Sequence, residues 1–359
     1  MAHRAVAFYL PQYHPITEND EWWGKGFTEW RNVVRSRPLF RGHYQPHLPA
    51  DLGFYDLRLA ESRLAQAELA RAFGIDAFCY YHYWFNGRRL LERPFKEVLS
   101  SGQPDFPFCL CWANENWTRR WDGADSEVLL SQDYREEDDR RHLQALLPAF
   151  KDPRYLRIKG CPVFLVYRAS HLPDPRSTVA RWRDEAVQGG LPGLYLCAVE
   201  SQPAEHGIAP TAGFDAAVEF APDWTVLPPC ERDSLIWRGA AKLRLTNRSF
   251  VRHRIRRYED LVSNMLAKNQ TSYLRFPCVT PGWDNTARRN TGATVFRGST
   301  PQTYERWLRE SKRRFIPPSP DENLLFVNAW NEWAEGNHLE PDQHWGPQYL
   351  EATLRALQG

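Results

Sequence analysis

The sequence predicts an α/β chain folded as a single (β/α)8 TIM barrel with elaborated βα loops. Three observations predict it. Eight short apolar, β-rich segments recur along 359 residues, helical patterns separate most of them, and polar and aromatic residues crowd one end of these segments only. Apolar strands alternating with helices call for a parallel sheet covered on its outer face, and eight is the number that closes it. An open doubly wound sheet is the rival, but no G-x-G-x-x-G opens a helix in this chain.

The strand candidates are Arg4–Tyr9, Ala77–Tyr83, Phe106–Trp112, Val163–Tyr167, Leu194–Val199, Asp215–Phe220, Phe276–Thr280 and Leu324–Trp330. After the first, Leu57, Ala60, Leu64 and Ala67 follow the 3.6-residue period, and Gly74 stops it. Residues 135–150, 176–188, 253–268, 301–315 and 347–358 read as further helices, with Leu350, Leu354 and Leu357 marking one face of the last. No repeat or low-complexity linker interrupts the pattern, so residues 1–359 read as one domain with a basic insertion around 223–257. Within 231–257, nine Lys or Arg stand against two acids, with Trp237 and Phe250 interleaved. A solvated helical insertion is the plain reading; a peripheral membrane or anionic-glycan contact is the sharper one.

Composition narrows the function. The net charge of +2 supplies no global field for nucleic acid. Fifteen Trp and fifteen Tyr accompany only two Met, and many of these rings adjoin Asn, His, Glu or Gly. Carbohydrate sites use rings in that way, because a pyranose has an apolar face bordered by hydroxyls. Seven cysteines, an odd number in strand-like segments, do not form a disulfide framework. Cys109 and Cys111 would point the same way from one strand, and no second Cys pair completes a zinc site. The first strand starts at Arg4, and no run approaches 18 apolar residues, so the expectation is a reduced, soluble, cytoplasmic protein.

The chemistry concentrates in 324–336, where the apolar lead Leu324-Leu-Phe-Val327 runs into Asn-Ala-Trp-Asn-Glu-Trp-Ala-Glu-Gly. Residues three apart on an ideal strand face opposite sides, so Glu332 and Glu335 share a site only if the chain turns helically after Glu332. Gly336 permits that sharp departure. Two neighbouring carboxyls framed by Trp330, Trp333 and Asn328 supply what cleavage of a glycosidic bond requires: an acid, a base, and surfaces that hold a sugar. The bland alternative is an inert E-x-x-E at a helix start.

The longer string Asn-Ala-Trp-Asn-Glu-Trp-Ala-Glu-Gly-Asn-His-Leu-Glu-Pro-Asp over 328–342 resembles the catalytic signature of glycoside hydrolase family 99, the endo-α-mannosidase type. It is closer still to WbsX-like relatives associated with bacterial surface-polysaccharide genes and often labelled glycosyltransferases. The stretches 8–15 (Phe-Tyr-Leu-Pro-Gln-Tyr-His-Pro), 22–30 (Trp-Trp-Gly-Lys-Gly-Phe-Thr-Glu-Trp), 80–84 (Tyr-Tyr-His-Tyr-Trp) and 112–117 (Trp-Ala-Asn-Glu-Asn-Trp) are similar to the same group, so the resemblance spans the chain. It implies a retaining glycoside hydrolase without an enzymic nucleophile. Glu332 would deprotonate the sugar's own 2-hydroxyl, which closes a 1,2-anhydro sugar, and Glu335 would serve as acid and then base. Family 99 commonly has His between the two glutamates, where this chain has Ala334, so the resemblance carries mechanism further than the mannoside substrate. A bacterial cell-surface glycan or its precursor is the expected substrate, with no cofactor. A glycosyltransferase or transglycosylase of O-antigen or capsule synthesis, or a non-catalytic glycan-binding barrel, are the rivals. No D-x-D for a metal-bound sugar nucleotide occurs in the chain.

Further candidates to hold the sugar sit at the other strand ends: Tyr9, Gln12, Tyr13, Tyr81, His82, Trp112, Asn114, Glu115, Trp117, Trp283 and Asp284. Glu115 is also a second candidate for the acid paired with Glu332. Glu200 and Glu219 read as outer supports. His14, His43, His47 and His82 read as groups that donate a ring N–H to a hydroxyl or carbonyl, so no metal site is expected.

Overall fold

The computed structural model describes residues 3–119, 124–233, 239, 243 and 252–359, so most of the basic stretch expected as a helical insertion lies outside the described residues. Nine parallel strands form the central sheet: β1 (Arg4–Tyr9), β2 (Ala77–Phe85), β3 (Phe108–Trp112), β4 (Cys161–Val166), β5 (Tyr195–Glu200), β6 (Ala216–Glu219), β7 (Arg275–Phe276), β8 (Cys278–Val279) and β9 (Leu324–Val327). Their order is β7-β6-β5-β4-β3-β2-β1-β9-β8. Each of the eight expected segments supplies a strand, and the seventh is divided in two by Pro277, which has no N–H to donate. Its first half pairs with β6 and its second with β9, so the sheet nearly closes into a barrel.

Strand alternation decides which residues can reach the site. From β1, Phe8 points inward, its ring 5.6 Å from Tyr81, 5.8 Å from Phe220 and 5.5 Å from Phe326. Its neighbour Tyr9 points outward, and its hydroxyl donates to Gln66 Oε1 at 2.6 Å on the helix Ala60–Ala72. All seven cysteines are free, and those of β2, β3, β5 and β8 are buried in the strands.

The helices after β3, β4 and β8 lie near their expected places: Glu136–Phe150, Pro175–Gln188 and Pro301–Arg314. Two of them begin on a cap and a proline, Asp174 accepting from Ser177 N–H and Thr300 from Thr303 N–H. The expected 253–268 helix is a correction. Only Tyr258–Leu266 is helical, and Arg254–Arg257 is instead a strand paired in parallel with Thr294–Arg297. Ile255 explains the difference: it is fully buried against Val295, His253 is buried too, and Arg254 between them is exposed, the alternation of a strand.

Candidate active site

After β9 the chain makes a short antiparallel pairing of Asn331–Glu332 with Asn337–His338, and Trp333–Glu335 between them form one 3-10 turn. Gly336 closes that turn at φ +56°, and a Cβ there would stand 2.9 Å from Asp284 Cβ and 3.1 Å from its backbone nitrogen. The close approach lets Asp284 N–H donate to the Glu335 carbonyl at 2.6 Å, fastening the loop after β8 to the turn. The helical departure after Glu332 thus brings both glutamates onto one cavity.

A single cation joins them. Arg288 reaches Glu332 Oε2 through Nη2 at 3.0 Å, Glu335 Oε1 through Nη1 at 2.7 Å and Glu29 Oε2 through Nε at 3.2 Å. Three carboxyls on one guanidinium leave excess negative charge in a largely dry place. Burial pushes the Glu332 pKa up to about 8; Arg288 opposes the rise, while Glu335 and Glu29 add to it. Glu29 is fully buried and raised for the same first reason. Burial works against the Arg288 cation, yet Glu29, Glu335 and Glu332 outweigh it and hold its pKa well above normal.

Glu332, Glu335 and Arg288 line a cavity of about 570 Å3 at the strand ends, with Glu29 buried behind it. Trp22 and Tyr83 each pack edge-on against Trp117, at 5.5 and 5.4 Å, and Trp224 meets Trp283 at 5.5 Å. Of the residues the sequence singled out, Gln12, Tyr81, Glu115, Trp117, Trp283, Asn328, Glu332 and Glu335 line this cavity. Glu115 pairs with Arg168 Nη1 at 2.9 Å, and Arg168 also holds Glu205.

The remaining candidates stand behind the cavity lining. Tyr9, His82 and Trp112 sit at outward-facing strand positions, where His82 meets His142 at 2.9 Å and Trp112 packs on Trp182. Asn114 is buried and uses its amide on the Arg168 backbone, accepting its N–H and donating to its carbonyl. Tyr13 donates to Asn331 O at 2.5 Å and accepts from Trp333 N–H, so it positions the glutamate turn from behind. Trp330 is fully buried against Phe78, and Trp333 stacks on His338 while donating to Glu340 Oε2. Asp284 faces away, accepting from Thr286 and His43. Glu200 and Glu219 are engaged with Arg275, and Glu219 also with Lys268.

Sequence reasoning missed Arg288, which no aromatic or motif flags, and Arg254, which reaches the cavity from the strand mistaken for helix. Only position, one turn beyond Asp284, marked Arg288 for attention.

The profile of the family described as "Glycosyltransferase WbsX" matches residues 5–353. Two curated relatives, both named "Uncharacterized protein WxcX", from Xanthomonas campestris pv. campestris strains ATCC 33913 and B100, are 44% identical over 355 residues. That alignment takes in 98% of this chain and 49% of each relative, so the chain spans about half the length of the curated relatives it matches. Among solved structures, the GH99 endo-alpha-mannosidase from Bacteroides thetaiotaomicron superposes with a TM-score of 0.60 at 14% identity, covering 99% of this chain and 96% of that one. A "Glycoside hydrolase-like protein" does so with a TM-score of 0.60 at 13%, over 99% and 94% of the two chains. At such identities the likeness is one of fold: a TIM barrel shared with family 99. The family profile spans nearly the whole chain, and the chain belongs to the WbsX glycosyltransferase family.

Proposed function

We propose that the chain is a glycan-processing enzyme that cleaves a glycosidic bond with retention, Glu332 and Glu335 carrying the chemistry. The observation that supports this most is their convergence on Arg288 in a cavity walled by tryptophans. In this reading Glu332, whose raised pKa makes it a stronger base than an ordinary carboxylate, takes the proton from the substrate's 2-hydroxyl. The freed O2 attacks C1, the bond from C1 to the leaving oxygen breaks, and Glu335 gives that oxygen its proton. Glu335 then takes a proton from water, the water oxygen bonds to C1, the C1–O2 bond of the 1,2-anhydro sugar opens, and Glu332 returns the proton to O2. The route requires a 2-hydroxyl trans to the leaving group. Trp117 and Trp283 offer ring faces to the sugar, and Gln12, Asn328 and Glu115 offer hydrogen bonds to hydroxyls.

The substrate proposed is a bacterial cell-surface glycan or its precursor, in line with a family described as glycosyltransferases and with relatives from a bacterium. The family's description as glycosyltransferases favours one alternative: an acceptor hydroxyl in place of water gives transglycosylation at the same residues. No helix among the described residues is long and apolar enough to cross a membrane. The test compares wild type with Glu332→Gln and Glu335→Gln on surface polysaccharide and lipid-linked precursors from the encoding organism. Turnover lowered about 100-fold or more in both, with glycan binding retained, supports the reading. Equal turnover in all three removes it.

A further inference from the structure

On the far side of the glutamate turn lies a second cavity, of about 220 Å3, lined among others by His43, His47, Asp284, His338 and Asp342. It shares only Trp283 with the candidate active site. Here His47 Nδ1 lies 2.9 Å from His338 Nε2, and His338 Nε2 lies 3.8 Å from Asp342 Oδ2. These three ligand atoms all fall within 4.8 Å of one another, and no other set of three does so among the described residues.

We propose that His47, His338 and Asp342 form a binding site for one transition-metal dication of the zinc class, fastening the first βα loop to the glutamate turn.

The hydrogen bonds around the three residues leave the right atoms open. His338 directs Nδ1 at the Glu340 carbonyl, 2.9 Å away, so that nitrogen carries the proton and Nε2 presents its lone pair. An imidazole whose second nitrogen donates to a carbonyl is the arrangement that fixes a metal ligand's tautomer and ring direction. Asp342 accepts His344 N–H and Trp345 N–H on Oδ1, at 2.9 and 2.6 Å, which orients the carboxylate and leaves Oδ2 toward His338. His47 is held by stacking on Tyr44, ring centroids 4.2 Å apart.

Tetrahedral coordination with metal–nitrogen bonds of about 2.0–2.1 Å sets ligand nitrogens roughly 3.3 Å apart, so the imidazoles need separate by only a few tenths of an ångström. In the metal-free chain the short contact is a His47 Nδ1–H bond to His338 Nε2. Moving that proton to His47 Nε2 frees both lone pairs with no change of charge. Two imidazoles and one carboxylate favour zinc, cobalt or nickel over magnesium and calcium, which take oxygen ligands. His43, in the same cavity, is excluded as a ligand: its Nδ1 accepts Leu39 N–H and its Nε2–H donates to Asp284.

The site includes the strand pairing that holds Glu332, since Asn337 is opposite Glu332 and His338 opposite Asn331. His338 also stacks on Trp333 at 3.7 Å, inside the turn. A bound ion would therefore stiffen the turn without touching the sugar. The sequence expectation of no metal site took each histidine singly, and 291 residues separate His47 from His338.

The experiment titrates zinc and cobalt(II) into the full chain stripped with chelator, reading uptake by competition with a chromogenic chelator and by the cobalt visible spectrum. The expected result is one ion per chain, an unfolding temperature that rises with zinc, and no response to magnesium or calcium. His47→Ala and Asp342→Asn should each weaken zinc binding at least about tenfold. Asp342→Asn retains an oxygen for the two backbone N–H groups, so its metal-free unfolding temperature should match wild type. His344→Ala should bind zinc as wild type does. Absence of stoichiometric uptake by wild type overturns the proposal, as does uptake unchanged in both His47→Ala and Asp342→Asn.

Discussion

Nη1 of Arg288 lies 2.7 Å from Oε1 of Glu335, and the same guanidinium holds Glu332 and Glu29. One cation shared among three carboxyls sets the protonation of the pair and its orientation together. Arg288→Gln should therefore do two things. It leaves buried carboxyls without their counter-ion, a loss of about 3–5 kcal/mol when a buried partner is removed. It also removes what holds the Glu332 pKa down, so the acid limb of kcat/KM moves to higher pH. Thermal unfolding and a pH–rate profile on the one variant check both effects.

The pH dependence of wild type follows from the base. Glu332 must be ionised to take the 2-hydroxyl proton, and its pKa stands at about 8. Below that value kcat/KM should fall about tenfold per pH unit, since this parameter reports the free enzyme. A profile flat between pH 5 and about 8 would argue against Glu332 as the base.

Stability should show the same group with the opposite sense. The Glu332 pKa is raised from 4.5 in the unfolded chain to about 8 in the folded one, so the folded chain binds the extra proton between those values. Stability then declines as pH rises through that window, by up to a few kcal/mol at roughly 1.4 kcal/mol per pKa unit. Glu332→Gln cannot ionise, so its unfolding temperature should gain on wild type progressively from about pH 4.5 to 8. A constant difference across that range would place the strain elsewhere.

Gly336→Ala tests the turn. At φ +56° with Asp284 backbone at 3.1 Å, a methyl group meets both an unfavourable conformation and an immovable neighbour. About 1–3 kcal/mol of stability should be lost, and kcat should fall more than KM changes, because Glu335 shifts while Trp117 stays. Wild-type kcat in a variant that folds would show that the turn tolerates displacement.

Much of this was legible in the sequence because the signals were local. Eight apolar runs marked the strands, and the Asn-Glu-Trp-x-Glu-Gly run placed two glutamates on a turn that Gly336 permits. What escaped was set by alternation and by long-range contact. Tyr9 and Trp112 looked equivalent to Tyr81 and Trp117 as aromatic residues near strand ends, yet strand parity sends the first two outward. Arg254 hid in a basic run whose helical spacing the buried Ile255 overrides. Arg288 and Glu29 lie 259 residues apart, and nothing beside either announces the other.

The most direct measurement follows the anomeric proton by NMR from the first minutes of reaction on surface polysaccharide from the encoding organism. The account predicts a newly released reducing end, or a newly formed transfer linkage, that first appears with the configuration of the bond broken. It also predicts that this signal is absent with Glu332→Gln and with Glu335→Gln. A first-formed product of inverted configuration would contradict the proposed route through a 1,2-anhydro sugar.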